Sequence, residues 1–218
     1  MKLMPALPES IFDICYLVFA IISGIMLVKK AEGKRDIFLM GVASLVLGCG
    51  DAFHLVPRVL AYWFTGDYTF ALGIGKLITS ITMTIFYLLL EYVRVDRYHE
   101  GTLQITTKII WVLSIVRILL CALPQNAWTS ADAPVSWGIY RNIPFVIIGI
   151  MTVVLWYKDA KDDRPFRFLF LAVLLSFAFY LPVVLMAHAI PMMGMFMLPK
   201  TVMYIWIICM FRRVEKGT

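Results

Sequence analysis

Residues 37–64 read IFLMGVASLVLGCGDAFHLVPRVLAYWF, an apolar run whose only charged or histidine side chains are Asp51, His54 and Arg58. As an α-helix rising about 1.5 Å per residue it would extend roughly 42 Å, beyond the ~30 Å hydrocarbon thickness of a bilayer. Asp51, His54 and Arg58 stand at i, i+3 and i+7, which puts them on one helical face. That face must turn away from lipid, because a charge near the bilayer centre costs at least about 2.5 kcal/mol. A lone span has no interior to offer, so the stretch predicts a bundle around itself.

Six further apolar runs supply that bundle, at roughly Ile11 to Val28, Phe70 to Val93, Ile105 to Leu123, Trp137 to Tyr157, Phe166 to Ala187 and Pro191 to Phe211. With 61% hydrophobic and 16% charged residues in 218 positions, the composition departs from the roughly one-quarter charged make-up of a soluble domain. The expected fold is an all-α integral membrane protein, a single domain of seven transmembrane helices. Pro5 to Glu9 precede the first run without a basic region or a small-residue cleavage site, so this run reads as a retained helix with Ser10 as its N-cap.

The Lys and Arg residues set an orientation, since short loops rich in them stay cytoplasmic. Lys29, Lys30, Lys34 and Arg35 follow the first run; Arg94, Arg97 and Lys108 flank the next even loop; Lys158, Lys161, Arg164 and Arg167 flank the third; Arg212, Arg213 and Lys216 close the chain. The opposite loops, around Gly66 to Tyr68, Pro124 to Ser136 and Ala189 to Pro191, hold neither residue type. The N-terminus is therefore expected outside and the C-terminus inside the cytoplasm, in the plasma (inner) membrane of a prokaryote. The net charge of +6 reads as a topology signal and not as nucleic-acid binding. Cys15, Cys49, Cys121 and Cys209 lie in apolar runs without metal-ligand spacing, and no cofactor or metal motif is present.

Apart from Lys2 and the cations already assigned to the cytoplasmic side, five remain inside the runs: Arg58, Lys76, Arg117, Arg141 and Lys200. Counted from the inferred outer ends, all sit in the outer half or at the midplane, in one layer with Asp51, His54, Asn142 and His188. The second run brings Asp51, His54 and Arg58, the third Lys76 with Thr79 and Ser80, the fifth Arg141 and Asn142, and the seventh Lys200 with Tyr204 one turn on. Such a layer predicts a polar chamber in which cations exceed carboxylates, and a bound anion would restore the balance. An Asp51–Lys200 ion pair is an alternative use of two of these charges. The expected partner is a membrane lipid or other anionic amphiphile, bound by the cations, Asn142, His188 and Tyr204; in an enzyme Asp51 would be the general base and His54 its assistant. A transporter of small solutes or a seven-helix receptor is the alternative.

Pro57, Pro144, Pro182 and Pro199 fall near this layer and predict bends that would open it. Trp63, Trp128 and Trp137 read as an interfacial aromatic belt. The Met residues at 192, 193, 195, 197 and 203 read as core filler or a plastic wall for an acyl chain.

Ser44-x-x-x-Gly48-x-Gly50-Asp51, the stretch Gly73 to Tyr87, Ile143-Pro144 to Met151 and Tyr204 together resemble the YhhN-like lysoplasmalogenases, membrane enzymes that cleave the vinyl ether of lysoplasmalogens. The resemblance implies a lipid ether hydrolase with Asp51 as one of the family's two membrane aspartates. Where the second would stand, the sixth run reads Ser176-Phe177-Ala178-Phe179-Tyr180-Leu181. Seven helices with Lys200 midway along the last also resemble the plan of retinal-binding rhodopsins, which would imply a Schiff base at Lys200 with Asp51 as its counter-ion.

Overall fold

The computed structural model describes residues 3–130, 133–186 and 190–217. Seven α-helices follow one another: α1 (Leu3–Lys29), α2 (Arg35–Trp63), α3 (Thr69–Tyr98), α4 (Ile105–Ala122), α5 (Val135–Ala160), α6 (Leu169–Met186) and α7 (Met197–Gly217). All seven are long and apolar enough to cross a membrane, and no strand occurs among the described residues. Short 3-10 turns at Pro124–Asn126 and Pro191–Phe196 precede α5 and α7.

The bundle inverts the arrangement of a soluble protein, in which large apolar side chains are mostly withdrawn from the surface. On α1, Ile11, Ile14, Val18, Ile22 and Ile25 form an exposed stripe at steps of three and four. Glu91, Arg94, Arg117, Asn142, Thr152, Ser176 and Lys200 are buried instead.

Helix α2 packs closely along α1 and α3, and the α2–α3 seam shows how. Pro57 lacks an N–H, so the carbonyl of Phe53 loses the donor it would have had within the helix. A Cβ at position 75 would collide with that carbonyl oxygen and crowd the Cα of His54. Only glycine lets α3 approach the freed carbonyl so closely, and the approach holds His54 against α3. Thr79 adds a hydroxyl bond of 3.1 Å to the Gly50 carbonyl.

Ion pairs tie the helices together at one end. Arg94 lies between Glu91 and Asp159 and also meets His99 at 3.0 Å, while Thr107 donates to Glu91 at 2.6 Å. Arg97 holds Asp36 at 3.1 Å and Asp163 at 2.7 Å, and Lys30 meets Glu215 at 2.6 Å. These bonds place the C-terminal ends of α1, α3, α5 and α7 together with the start of α2. At the other end Glu9 pairs with Arg58, and Trp63 donates to Ser10 at 3.1 Å. There too, Thr69 donates its backbone N–H to Asp67 at 2.9 Å, which holds that exposed carboxyl below the usual carboxylate range.

Two expectations are corrected. Helix α1 begins at Leu3 and carries Pro8 inside it, so Ser10 is an interior residue that accepts from Trp63 and does not cap. Helix α7 begins at Met197, which puts Pro199 in a first turn where no intrahelical N–H is required. Internal prolines therefore stand at the cavity end of α2, α5 and α6 but not of α7.

Candidate functional site

A cavity of about 330 Å³ opens between α2, α3, α4, α5, α6 and α7. His54 lines it from α2, Lys76, Thr79, Ser80 and Met83 from α3, and Arg117 from α4. Arg141 and Phe145 come from α5, Tyr180 and Val183 from α6, Met197 and Lys200 from α7, and Trp128 from the α4–α5 connection. Among the described residues, four cations and one histidine face this space and no carboxylate lines it.

Three of the four cations rest on aromatic rings where a soluble protein would supply carboxylates. Arg117 is 2% exposed, and its guanidinium lies 3.3 Å from the ring centre of Phe145. Its Nε and Nη1 are buried without a hydrogen-bond partner. Lys200 is 6% exposed and holds its ammonium 4.6 Å from the Tyr180 ring and 5.4 Å from that of Tyr204. Arg141 stands 4.1 Å over Trp128. A ring face attracts a cation by about 2 kcal/mol when desolvated, yet it consumes none of the N–H donors and neutralises no charge. A positively charged cavity with donors to spare is the result.

The supports of these side chains follow from the local sequence. Helix α4 ends at Ala122 with free carbonyls. The amide nitrogen of Asn126 donates to those of Leu120 at 2.7 Å and Leu123 at 2.9 Å, and Trp128 donates to Cys121 at 2.8 Å. Thus fixed, Asn126 accepts a 2.7 Å bond from Arg141 and Trp128 offers it a ring face. Asn142 donates to the Gly138 carbonyl at 2.7 Å and accepts from the Tyr180 hydroxyl at 2.8 Å, so it sets the ring on which Lys200 rests. Beneath lies an aromatic floor in which Tyr87 meets Phe145 at 5.2 Å and Phe86 meets Tyr204 at 5.8 Å.

Of the side chains expected to share one chamber, His54, Lys76, Arg117, Arg141 and Lys200 do so. Asn142 and Tyr204 stand behind the wall as supports. Arg58 is engaged elsewhere, paired with Glu9 and bonded through Nε to Tyr62 at 3.3 Å. Asp51 accepts a 2.7 Å bond from Tyr16 and does not line the cavity; it makes no direct salt bridge to Lys200, although the two charges attract each other across the bundle. His188 lies outside the described residues. His54 keeps its Nδ1 buried and unpartnered. Trp128, placed in the interfacial belt by its position in the sequence, is a cavity wall, and Phe145 and Tyr180 were hidden among the other aromatics of apolar runs.

Chemically, the cavity suits a phosphate or carboxylate group, whose oxygens accept from Arg and Lys in short charge-assisted bonds. Among the described residues no cluster of His, Cys, Asp and Glu has the make-up of a metal site. No protein-family model matches the chain, nor does any curated protein or solved structure.

Proposed function

We propose that this chain is an integral membrane protein, its N-terminus outside and its C-terminus inside the cytoplasm, that binds the anionic headgroup of a phospholipid-like amphiphile within its bundle. The observation that carries this reading is the cavity lined by Lys76, Arg117, Arg141 and Lys200, with no carboxylate among the described residues of its walls. Cations withdrawn from water inside an apolar bundle normally find counter-charges and mark function. Here rings support three of them and leave room for an external anion. Seven apolar helices and the one-sided distribution of Lys and Arg support the membrane placement.

The site reads as a binding site ahead of a hydrolytic one. Asp51, the carboxylate that a lysoplasmalogenase-like mechanism would use, is taken by Tyr16 and stands away from the cavity lining.

The test uses purified protein in nanodiscs of neutral lipid, with binding of hexadecyl phosphate, hexadecyl trimethylammonium and inorganic phosphate measured side by side. Saturable binding of the alkyl phosphate, lost in Arg117→Gln and absent for the cationic amphiphile, is the expected result. Equal retention of the two amphiphiles would overturn the reading, and equal affinity for inorganic phosphate would turn it into a small-anion site. Incubation with a vinyl-ether lysolipid covers turnover: aldehyde released by the wild type and not by Asp51→Asn would make the protein an enzyme.

A further inference from the structure

A second hollow, of about 340 Å³, lies on the seam between α5 and α6. Its walls are Val, Ile, Leu, Gly, Ala and Phe side chains only, among them Val153 on α5 and Leu174, Ala178 and Leu181 on α6. Leu174 and Ala178 are exposed on the bundle exterior, where hydrocarbon would surround them.

This groove and the cationic cavity are two faces of one thin partition. On α5 Phe145 lines the cavity and its neighbour Val146 the groove; on α6 Tyr180 lines the cavity and Leu181 the groove. Phe177 stands in the middle of the partition, its ring 4.9 Å from that of Phe145 and 6.5 Å from that of Tyr180. Gly149 makes the seam possible, because a Cβ there would fall inside the space the Phe177 ring occupies. The groove follows α5 from Val146 to Val154, roughly 12 Å at the helical rise. That is close to the ~15 Å depth of hydrocarbon in one leaflet.

Volume and chemistry then divide an amphiphile between the two spaces. About 330 Å³ is at the small end of ligand pockets, which run from ~300 to 1,000 Å³; it suits a headgroup and leaves a long chain to find another place. The groove offers that place, with almost no polar surface to desolvate.

We propose that the hydrocarbon chain of the bound amphiphile lies in the α5–α6 groove while its anionic group sits in the cavity, the two joined past the edge of the partition formed by Phe145, Phe177 and Tyr180. The assignment rests on the anion-binding reading above and adds to it where the chain runs.

A hexadecyl phosphate carrying a diazirine at mid-chain tests this in neutral-lipid nanodiscs, with crosslinked peptides mapped by mass spectrometry. Labelling that unlabelled hexadecyl phosphate competes away is expected on the segments 146–154 and 174–181. Ala178→Phe, which fills the groove at an exposed position, is expected to abolish that labelling while the protein still binds octyl phosphate. Val112→Phe, at an exposed position on α4, should leave it unchanged. Competed labelling on other helices, or labelling that survives Ala178→Phe, would overturn the placement of the chain and leave the headgroup site standing. Absence of any competed labelling, or labelling indifferent to Arg117→Gln, would overturn both.

Discussion

Arg117 concentrates the physical problem that the cavity poses. Its guanidinium is buried, stacked on Phe145 and short of partners at Nε and Nη1. A buried donor left unsatisfied costs about 1–3 kcal/mol, and an uncompensated charge adds to that. Arg117→Met is therefore expected to stabilise the ligand-free protein, by about 1–3 kcal/mol, and to erase the upward shift in melting temperature that hexadecyl phosphate gives the wild type. Thermal unfolding in detergent with and without the ligand checks both halves. Arg58, already satisfied by Glu9 and Tyr62, should behave differently: Arg58→Gln is expected to leave the affinity for hexadecyl phosphate within about twofold of the wild type, a change under 0.5 kcal/mol. At this scale the sequence was half legible. Cations inside apolar runs stand out because of what they cost, and so Lys76, Arg117, Arg141 and Lys200 could be picked out. Their ring supports could not, since Phe145, Trp128 and Tyr180 look like any other aromatic of such a run. Nor could the separate engagement of Arg58 and Asp51, whose partners Glu9 and Tyr16 lie on a different helix.

Along the elements, the closest fit is where α3 meets the proline of α2. Gly75→Ala sets a methyl group against the Phe53 carbonyl and the His54 backbone, and overpacking of this kind costs about 1–3 kcal/mol. A lower unfolding midpoint is the expected outcome. Because the displaced backbone carries His54, weaker binding of hexadecyl phosphate should accompany it. Helix spans were readable from hydropathy to within a few residues except at α1, whose start at Leu3 precedes the apolar run, at α3, whose last turns carry Arg94 and Arg97, and at α7. There the apolar run continues through Pro191–Phe196, where the backbone coils as a 3-10 turn. Hydropathy records which residues avoid water and is blind to how the chain winds, so it joined the turn to the helix and made Pro199 look internal.

For the whole molecule, orientation is the property to measure. In a background with the four cysteines replaced by alanine, Asp67→Cys is expected to react with a membrane-impermeant maleimide on intact cells. Glu32→Cys should react only after the membrane is permeabilised, and the reverse pattern would invert the bundle. The one-sided cations that predict this were plain in the sequence, whereas the pairs they make were not: Arg94 with Asp159 and Arg97 with Asp163 and Asp36 are separated by more than sixty positions. Those pairs fasten α1, α2, α3, α5 and α7 at the end away from the cavity. Between α5 and α6 at the cavity end, the bond from Tyr180 to Asn142 is a lighter tie. Glu9 and Arg58 also hold α1 to α2 at that end, so the α5–α6 seam is the more lightly fastened part of the bundle. For an amphiphile bound as proposed, that seam would serve as both entrance and exit.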